Sequence, residues 1–141
     1  MRKRSAAIMR HLASESCSEI IECLKEGLDH PDDLAKKLKV VRQSVDWHLL
    51  KLTAFGIVER SAVSSATSRP RITYKLTPTG RDLIDRLDGT IDQHFSGIGQ
   101  KFESLQQELD HHLARGEISE EVYKERTRRL KREMDFLKGE C

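Results

Sequence analysis

The sequence predicts a mainly α-helical chain with one small β-hairpin, and three observations lead there. Apolar residues recur at three- and four-residue steps through most of the chain. Between residues 57 and 76 that period gives way to alternation: Ile72, Tyr74 and Leu76 face one way, Arg71, Thr73 and Lys75 the other. After Thr77 the helical period returns and persists almost to residue 141.

With 141 residues there is room for one domain and an appendage. Apolar residues make up 37% and charged residues 34%, which suits a small core carrying long solvated helices. No apolar run approaches the roughly 18 residues of a membrane span. Met1-Arg2-Lys3-Arg4 is basic, but Arg10 breaks the apolar stretch behind it. No signal peptide is read, and a cytoplasmic protein without membrane contact is expected. Arg2, Lys3 and Arg4 read as a disordered basic terminus, with a groove-reaching arm as the sharper alternative. Cys17 and Cys23 lie six apart on a helix, too far round for an easy bridge, and read as reduced, semi-buried residues. Cys141 could crosslink two chains under oxidation.

In chain order, His30-Pro31-Asp32-Asp33 is a helix start. Pro31 suits the first helical position, and the aspartates face the positive end of the helix dipole. Leu34, Ala35 and Leu38 form one apolar face over about two turns, leaving Lys36, Lys37 and Lys39 outside. A longer helix, about 41–55, follows a tight turn; Val45, Leu49 and Leu52 are its buried stripe. Together they make a helix-turn-helix. Gly56 stops the second helix and Ile57-Val58 opens a strand. Residues 61–68 are small and polar, a loose tip, and Pro70 stands at the mouth of the return strand, where a missing donor does little harm. Thr77-Pro78 caps and begins a long helix to about Arg115. Ile91, Phe95, Ile98, Phe102, Leu105 and Leu109 recur along it; from Phe95 the steps are those of a coiled-coil seam. A stutter with Gly89 inside it predicts a bend or break there. Arg115-Gly116 ends this helix and Ser119 caps the last one, whose Leu130, Met134 and Leu137 sit amid dense charge. So polar a helix folds back on the long one or packs against a second subunit.

Charge is unevenly spread. From Lys36 to Lys75 there are nine basic residues against Asp46 and Glu59, a surplus of seven; the net +2 leaves the rest of the chain at minus five. The basic block coincides with the helix-turn-helix and hairpin, as a phosphate backbone requires.

These pieces resemble the winged helix-turn-helix regulators of the ArsR type and their archaeal relatives, over about residues 15–90. The resemblance rests on Leu34-Ala35, Val45, His48-Leu49, Leu52, Gly56-Ile57-Val58 and Tyr74-Lys75-Leu76-Thr77-Pro78-Thr79-Gly80. It implies a transcriptional regulator. Two departures stand out. Asp46 and Trp47 occupy positions where the family usually has a small polar and often a basic residue. The Cys-x-Cys of the metal-sensing members is absent, so no metal or other cofactor is expected. The stretch from Leu113 to Tyr123 is similar to the short helical hairpins called SHOCT, which implies oligomerisation.

Candidate DNA contacts are Lys36, Arg42, Gln43, Ser44, Asp46, Trp47, Lys51, Arg60, Arg69 and Arg71. Arg can bond guanine O6 and N7, and Gln adenine N6 and N7; phosphate contact alone is the bland reading of both. Ser44 bonds a phosphate or caps locally. Asp46 either accepts from cytosine N4 or orients Arg42, and the second is favoured. Trp47 and Leu50 lie on one face; the favoured reading covers at least one of them with the wing or another helix. His48 reads as structural and half-buried. Lys36 is a phosphate contact or a solvated face, and Arg69 and Arg71 have the best backbone or minor-groove case. His94, Asp110, His111 and His112 suggest a metal site, but adjacent histidines point about 100° apart and the reading is set aside. No nucleophile–base pair, phosphate loop or catalytic carboxylate pair stands out, so no enzyme is expected.

The sequence thus predicts a winged helix-turn-helix domain at 1–90 and a helical dimerisation extension at 91–141, a coiled coil or antiparallel helices. Ile91, Phe95, Ile98, Phe102, Leu105, Leu109, Leu130, Met134 and Leu137 are its contacts. The expected function is that of a homodimer reading double-stranded DNA in a sequence-specific way. The alternative is a winged-helix protein-interaction module.

Overall fold

The computed structural model describes residues 1–65 and 68–139. Its elements run α1 (Lys3–Leu12), α2 (Glu15–Lys25), α3 (Pro31–Leu38), α4 (Arg42–Ala54), β1 (Val58–Ser65), β2 (Ser68–Leu76), α5 (Pro78–Ala114) and α6 (Glu120–Leu137). The chain is mainly α with one two-stranded antiparallel sheet, as the sequence predicts. It divides into two compact units, Met1–Asp85 and Arg86–Cys141.

The first unit is built on caps and one apolar cluster. Ser14 accepts a hydrogen bond from the Cys17 amide at 3.2 Å and opens α2. His30 caps α3 through Nδ1, which accepts from the Asp32 amide at 3.1 Å, with Pro31 behind it. Lys39 ends α3 in the left-handed region at φ 55° and turns the chain into α4. Ile20, Ile21 and Leu24 of α2 meet Leu34 of α3 and Val45, Leu49 and Leu52 of α4; Ile57, Val58, Leu76 and Ile84 close the cluster. Leu34, Leu49 and Leu52 are fully buried, and each such side chain contributes about 2–3 kcal/mol relative to exposure.

A knot of polar contacts fixes the hairpin to its neighbours. Gly56 turns α4 into β1 at φ 74°. The Thr77 hydroxyl donates to the Gly56 carbonyl at 2.7 Å and accepts from the Gly80 amide at 2.9 Å, while the Thr77 amide donates to the Ile57 carbonyl at 2.9 Å. One residue therefore caps α5 and holds the α4–β1 turn. Gly80 is required there: a Cβ would lie 2.3 Å from the Ile57 oxygen. The Tyr74 amide donates to the Asp29 carbonyl at 2.8 Å and ties β2 to the loop before α3.

Several expectations change. The stretch at 61–65 is paired strand, not a loose tip: Ser61 faces Thr73, Ala62 faces Ile72 and Val63 faces Arg71, with a register shift before Ser65. Extended backbone satisfies its donors and acceptors across the ladder, so small polar residues suffice. Ala66 and Thr67, the predicted tip itself, lie outside the described residues, as does Cys141. Lys3 and Arg4 belong to α1 instead of a disordered terminus. Cys17 and Cys23 are buried, not semi-buried, because both fall on the inward face of α2. No break occurs at Gly89; α5 is one helix of 37 residues. A helical glycine costs about 1 kcal/mol relative to Ala, less than interrupting the hydrogen-bond ladder.

The second unit is a helical hairpin. Gly116, at φ 72°, and the Glu117 amide, donating to the His112 carbonyl at 2.9 Å, turn the chain. Ser119 caps α6 by accepting from the Val122 amide at 3.3 Å. Gln106 of α5 reaches Tyr123 at 3.2 Å and Thr127 at 3.4 Å, and the Tyr123 hydroxyl donates to Asp110 at 2.6 Å. The last helix thus folds back within its own chain. Leu109 is buried, whereas Ile91, Phe95, Leu105 and Leu137 are exposed.

Candidate nucleic-acid interface

The α4 stripe of Val45, Leu49 and Leu52 faces the core, which turns the other face of the helix outward. Arg42 and Gln43 stand exposed in its first turn, with Ser44 half-buried behind them and Asp46 exposed. Arg42 is not a loose cation. Its Nε donates to Asp46 at 3.0 Å and its Nη1 to Asp32 of α3 at 2.5 Å. Those carboxylates raise the guanidinium pKa, and the Arg42 hydrogen bond lowers that of Asp32. Asp46 orients Arg42, as the sequence suggests by their spacing; Asp32 is an additional partner that sequence reading assigned only to the helix dipole.

Trp47 and Leu50 are 52% and 66% exposed, so the expected cover over one of them is not there. Their direction from the helix axis, away from the core stripe, explains it: Trp47 packs against the His11 and His48 rings, with centroids 5.5 and 5.0 Å away, and still leaves about half its surface open. Lys51 places its ammonium 5.8 Å from the Trp47 ring centroid. Val41, just before α4, is also exposed.

Lys36 is exposed on α3, Arg60 on β1, and Arg69 and Arg71 on β2. Arg60 and Arg69 line one groove on the hairpin with Ala62, Pro70 and Ile72. Arg71 leans toward α3, 3.4 Å from Asp33 and 4.0 Å from Asp29. Lys37 pairs with Glu26 at 2.5 Å and Lys75 with Glu59 at 3.1 Å. The hairpin and the start of α4 therefore present cations outward, some steered by acids at their base.

Behind this surface lies a group that no spacing in the sequence announces. His11 of α1, Cys17 of α2 and His48 of α4 bring one donor atom each within 4.8 Å of the others. His48 is only 8% exposed, deeper than the half-buried position expected. Burial lowers the pKa of both histidines and pushes the Cys17 thiol up to about 11. The three residues sit on three helices, and inward placement of Cys and His was the one available signal. Among the described residues, the metal candidates weighed from sequence form no such group: Asp110 is bonded to Tyr123 and Gln106, and His112 to Glu117.

No protein-family profile and no curated protein matches the chain. Solved structures do. The transcriptional regulator YodB from B. subtilis in its reduced form superposes with a TM-score of 0.56 at 18% identity, over 65% of this chain and 89% of that one. A transcriptional regulator of the MarR family from Enterococcus faecalis V583 gives 0.56 at 19%, over 72% and 93%. A PadR-like transcription factor from Bacteroides fragilis gives 0.51 at 22%, over 70% and 98%. The fold is a winged helix-turn-helix. In its terms α3 and α4 are the helix-turn-helix, β1 and β2 the wing, and α5 the helix that follows.

Proposed function

We propose that this chain is a homodimeric, sequence-specific DNA-binding transcriptional regulator of the ArsR-like kind. The observation that carries the reading is the outward display of Arg42 and Gln43 on a helix whose opposite face is locked in the core, beside a basic wing. Helix α4 enters the major groove, where Arg42 and Gln43 reach base edges. Asp32 and Asp46 hold Arg42 extended until a guanine takes over its donors. Ser44, Lys36 and Lys51 bond phosphates, Trp47 meets sugars or thymine methyls, and Arg60, Arg69 and Arg71 grip backbone or minor groove. Affinity is then salt-dependent.

Dimerisation uses residues 91–141. The exposed Ile91, Phe95, Leu105 and Leu137, flanked by the partly buried Ile98, Phe102, Leu130 and Met134, support it: a charged hairpin with this much apolar surface gains by covering it. Leu109 is already buried within one chain and contributes from inside. Two-fold symmetry places two α4 helices about one duplex turn apart, so the site is palindromic. Among the described residues no helix is long and apolar enough to cross a membrane, and the proposed place of action is the cytoplasm.

A second reading, a protein-interaction module, is favoured by the exposed Val41, Trp47 and Leu50. Fluorescence anisotropy separates the two. The full-length protein is titrated with duplex from its own upstream region and with scrambled duplex, across a salt series. The regulator reading expects preference for the first and a steep salt slope; equal weak binding to both overturns it.

A further inference from the structure

We infer that His11, Cys17 and His48 form a binding site for a zinc-class divalent cation, placed between α1, α2 and the back of α4. One ring nitrogen from each histidine and the Cys17 sulfur lie within 4.8 Å of one another. Two imidazoles and a thiolate are the donor set such ions take, and a three-ligand site leaves a fourth position for water or another donor. In a tetrahedral site with ordinary bond lengths the donors stand about 3.5 Å apart. From 4.8 Å to about 3.5 Å, the cluster closes by about 1.3 Å at most, within reach of side-chain rotations.

An independent observation points to a ligand. His11 Nε2 and His48 Nδ1 are both buried and neither has a hydrogen-bond partner. His48 is more than nine-tenths buried, and an unpartnered ring nitrogen at such a position is unfavourable and uncommon. Aromatic packing accounts for the rings being there. His11 lies 5.4 Å from His48 and 5.9 Å from Phe55, centroid to centroid. Packing does not account for two orphaned nitrogens beside one buried thiol.

Binding is a simple exchange. The Cys17 S–H bond breaks, the sulfur–metal bond forms, and the proton leaves to solvent with no change of oxidation state. Because His48 belongs to α4, the ion would join the helix that meets DNA to α1 and α2. This coupling rests on the regulator reading above; the site itself does not.

Cobalt is the probe. Under reducing, anaerobic conditions, one equivalent of Co2+ added to the full-length protein is expected to give a thiolate-to-cobalt charge-transfer band and tetrahedral d–d bands. One equivalent of Zn2+ should bleach them, and Mg2+ should not. Cys17→Ser should abolish the charge-transfer band, and His11→Gln should weaken binding about tenfold or more. Cys141→Ser should change neither. His11 is only partly buried, so His11→Gln keeps the test decisive if Cys17→Ser or His48→Gln fails to fold by circular dichroism. Absence of the bands at one equivalent, or bands that survive Cys17→Ser, overturns the site. Zn2+ should then change anisotropy-measured affinity for upstream duplex about fivefold or more. An unchanged affinity overturns the coupling. Since the cobalt spectrum needs no DNA, failure of the regulator reading leaves the site's own test intact.

Discussion

The two units of this chain are held together by different physics. Met1–Asp85 closes around thirteen buried hydrophobic residues drawn from α2, α3, α4, both strands and the start of α5. Arg86–Cys141 has, among the described residues, Leu109 as its one buried hydrophobic, and is joined by a polar ladder of Gln106, Asp110, Tyr123 and Thr127. Both units expose apolar side chains, Trp47 and Leu50 in the first and Phe95 in the second, but only the first does so over a filled core. The division is between a unit closed on apolar packing and one closed on polar contacts.

The contrast can be broken most severely in the first unit. Leu49→Ala, at a fully buried position, should lower stability by about 3 kcal/mol, read as a shift in the denaturant midpoint at unchanged slope. Gly80→Ala should cost about 2–3 kcal/mol, because its Cβ meets backbone that cannot rotate away. The functional face should respond without unfolding. Arg42→Ala should lose about 1–3 kcal/mol of affinity for a preferred duplex and relax preference at one base, while Arg69→Ala weakens all sequences alike. Equal losses on specific and random DNA for Arg42→Ala would sink the claim of base readout. In the second unit, Phe95→Lys should leave the circular dichroism of dilute protein intact yet shift sedimentation toward monomer; an unchanged sedimentation coefficient would remove this surface from the dimer. Tyr123→Phe should have the smallest effect, a slight loss of hairpin cooperativity in thermal unfolding.

How much was legible in the sequence follows the same division. Helix α3 opens on His30 and Pro31, and α4 carries Val45, Leu49 and Leu52 at helical spacing before Gly56, so both helices and the inward stripe could be read directly, although Val41 gives α4 no side-chain cap. The Arg42–Asp46 pair is visible as a four-residue spacing. Asp32 as a second partner of Arg42 is not, since it comes from another helix. Residues 61–65 carry no strand signal because the ladder stabilises them through backbone, which every residue shares. The exposure of Trp47 depends on how far α1 reaches across α4, and the His11–Cys17–His48 group on where three helices converge. Periodicity describes one helix at a time; convergence is a property of packing.

The carboxylate cradle around Arg42 has a consequence for time as well as for energy. If α4 enters the major groove as proposed, random duplex would offer nothing to displace Asp32 and Asp46, and flanking cations that slide readily would hold the complex. At a guanine of the right register the arginine would change partners. Arrival rates at the two kinds of sequence would then be similar, and dwell times would differ. A short acidic collar at the root of one helix would set how long the protein stays, and with it the interval over which a gene is held in one state.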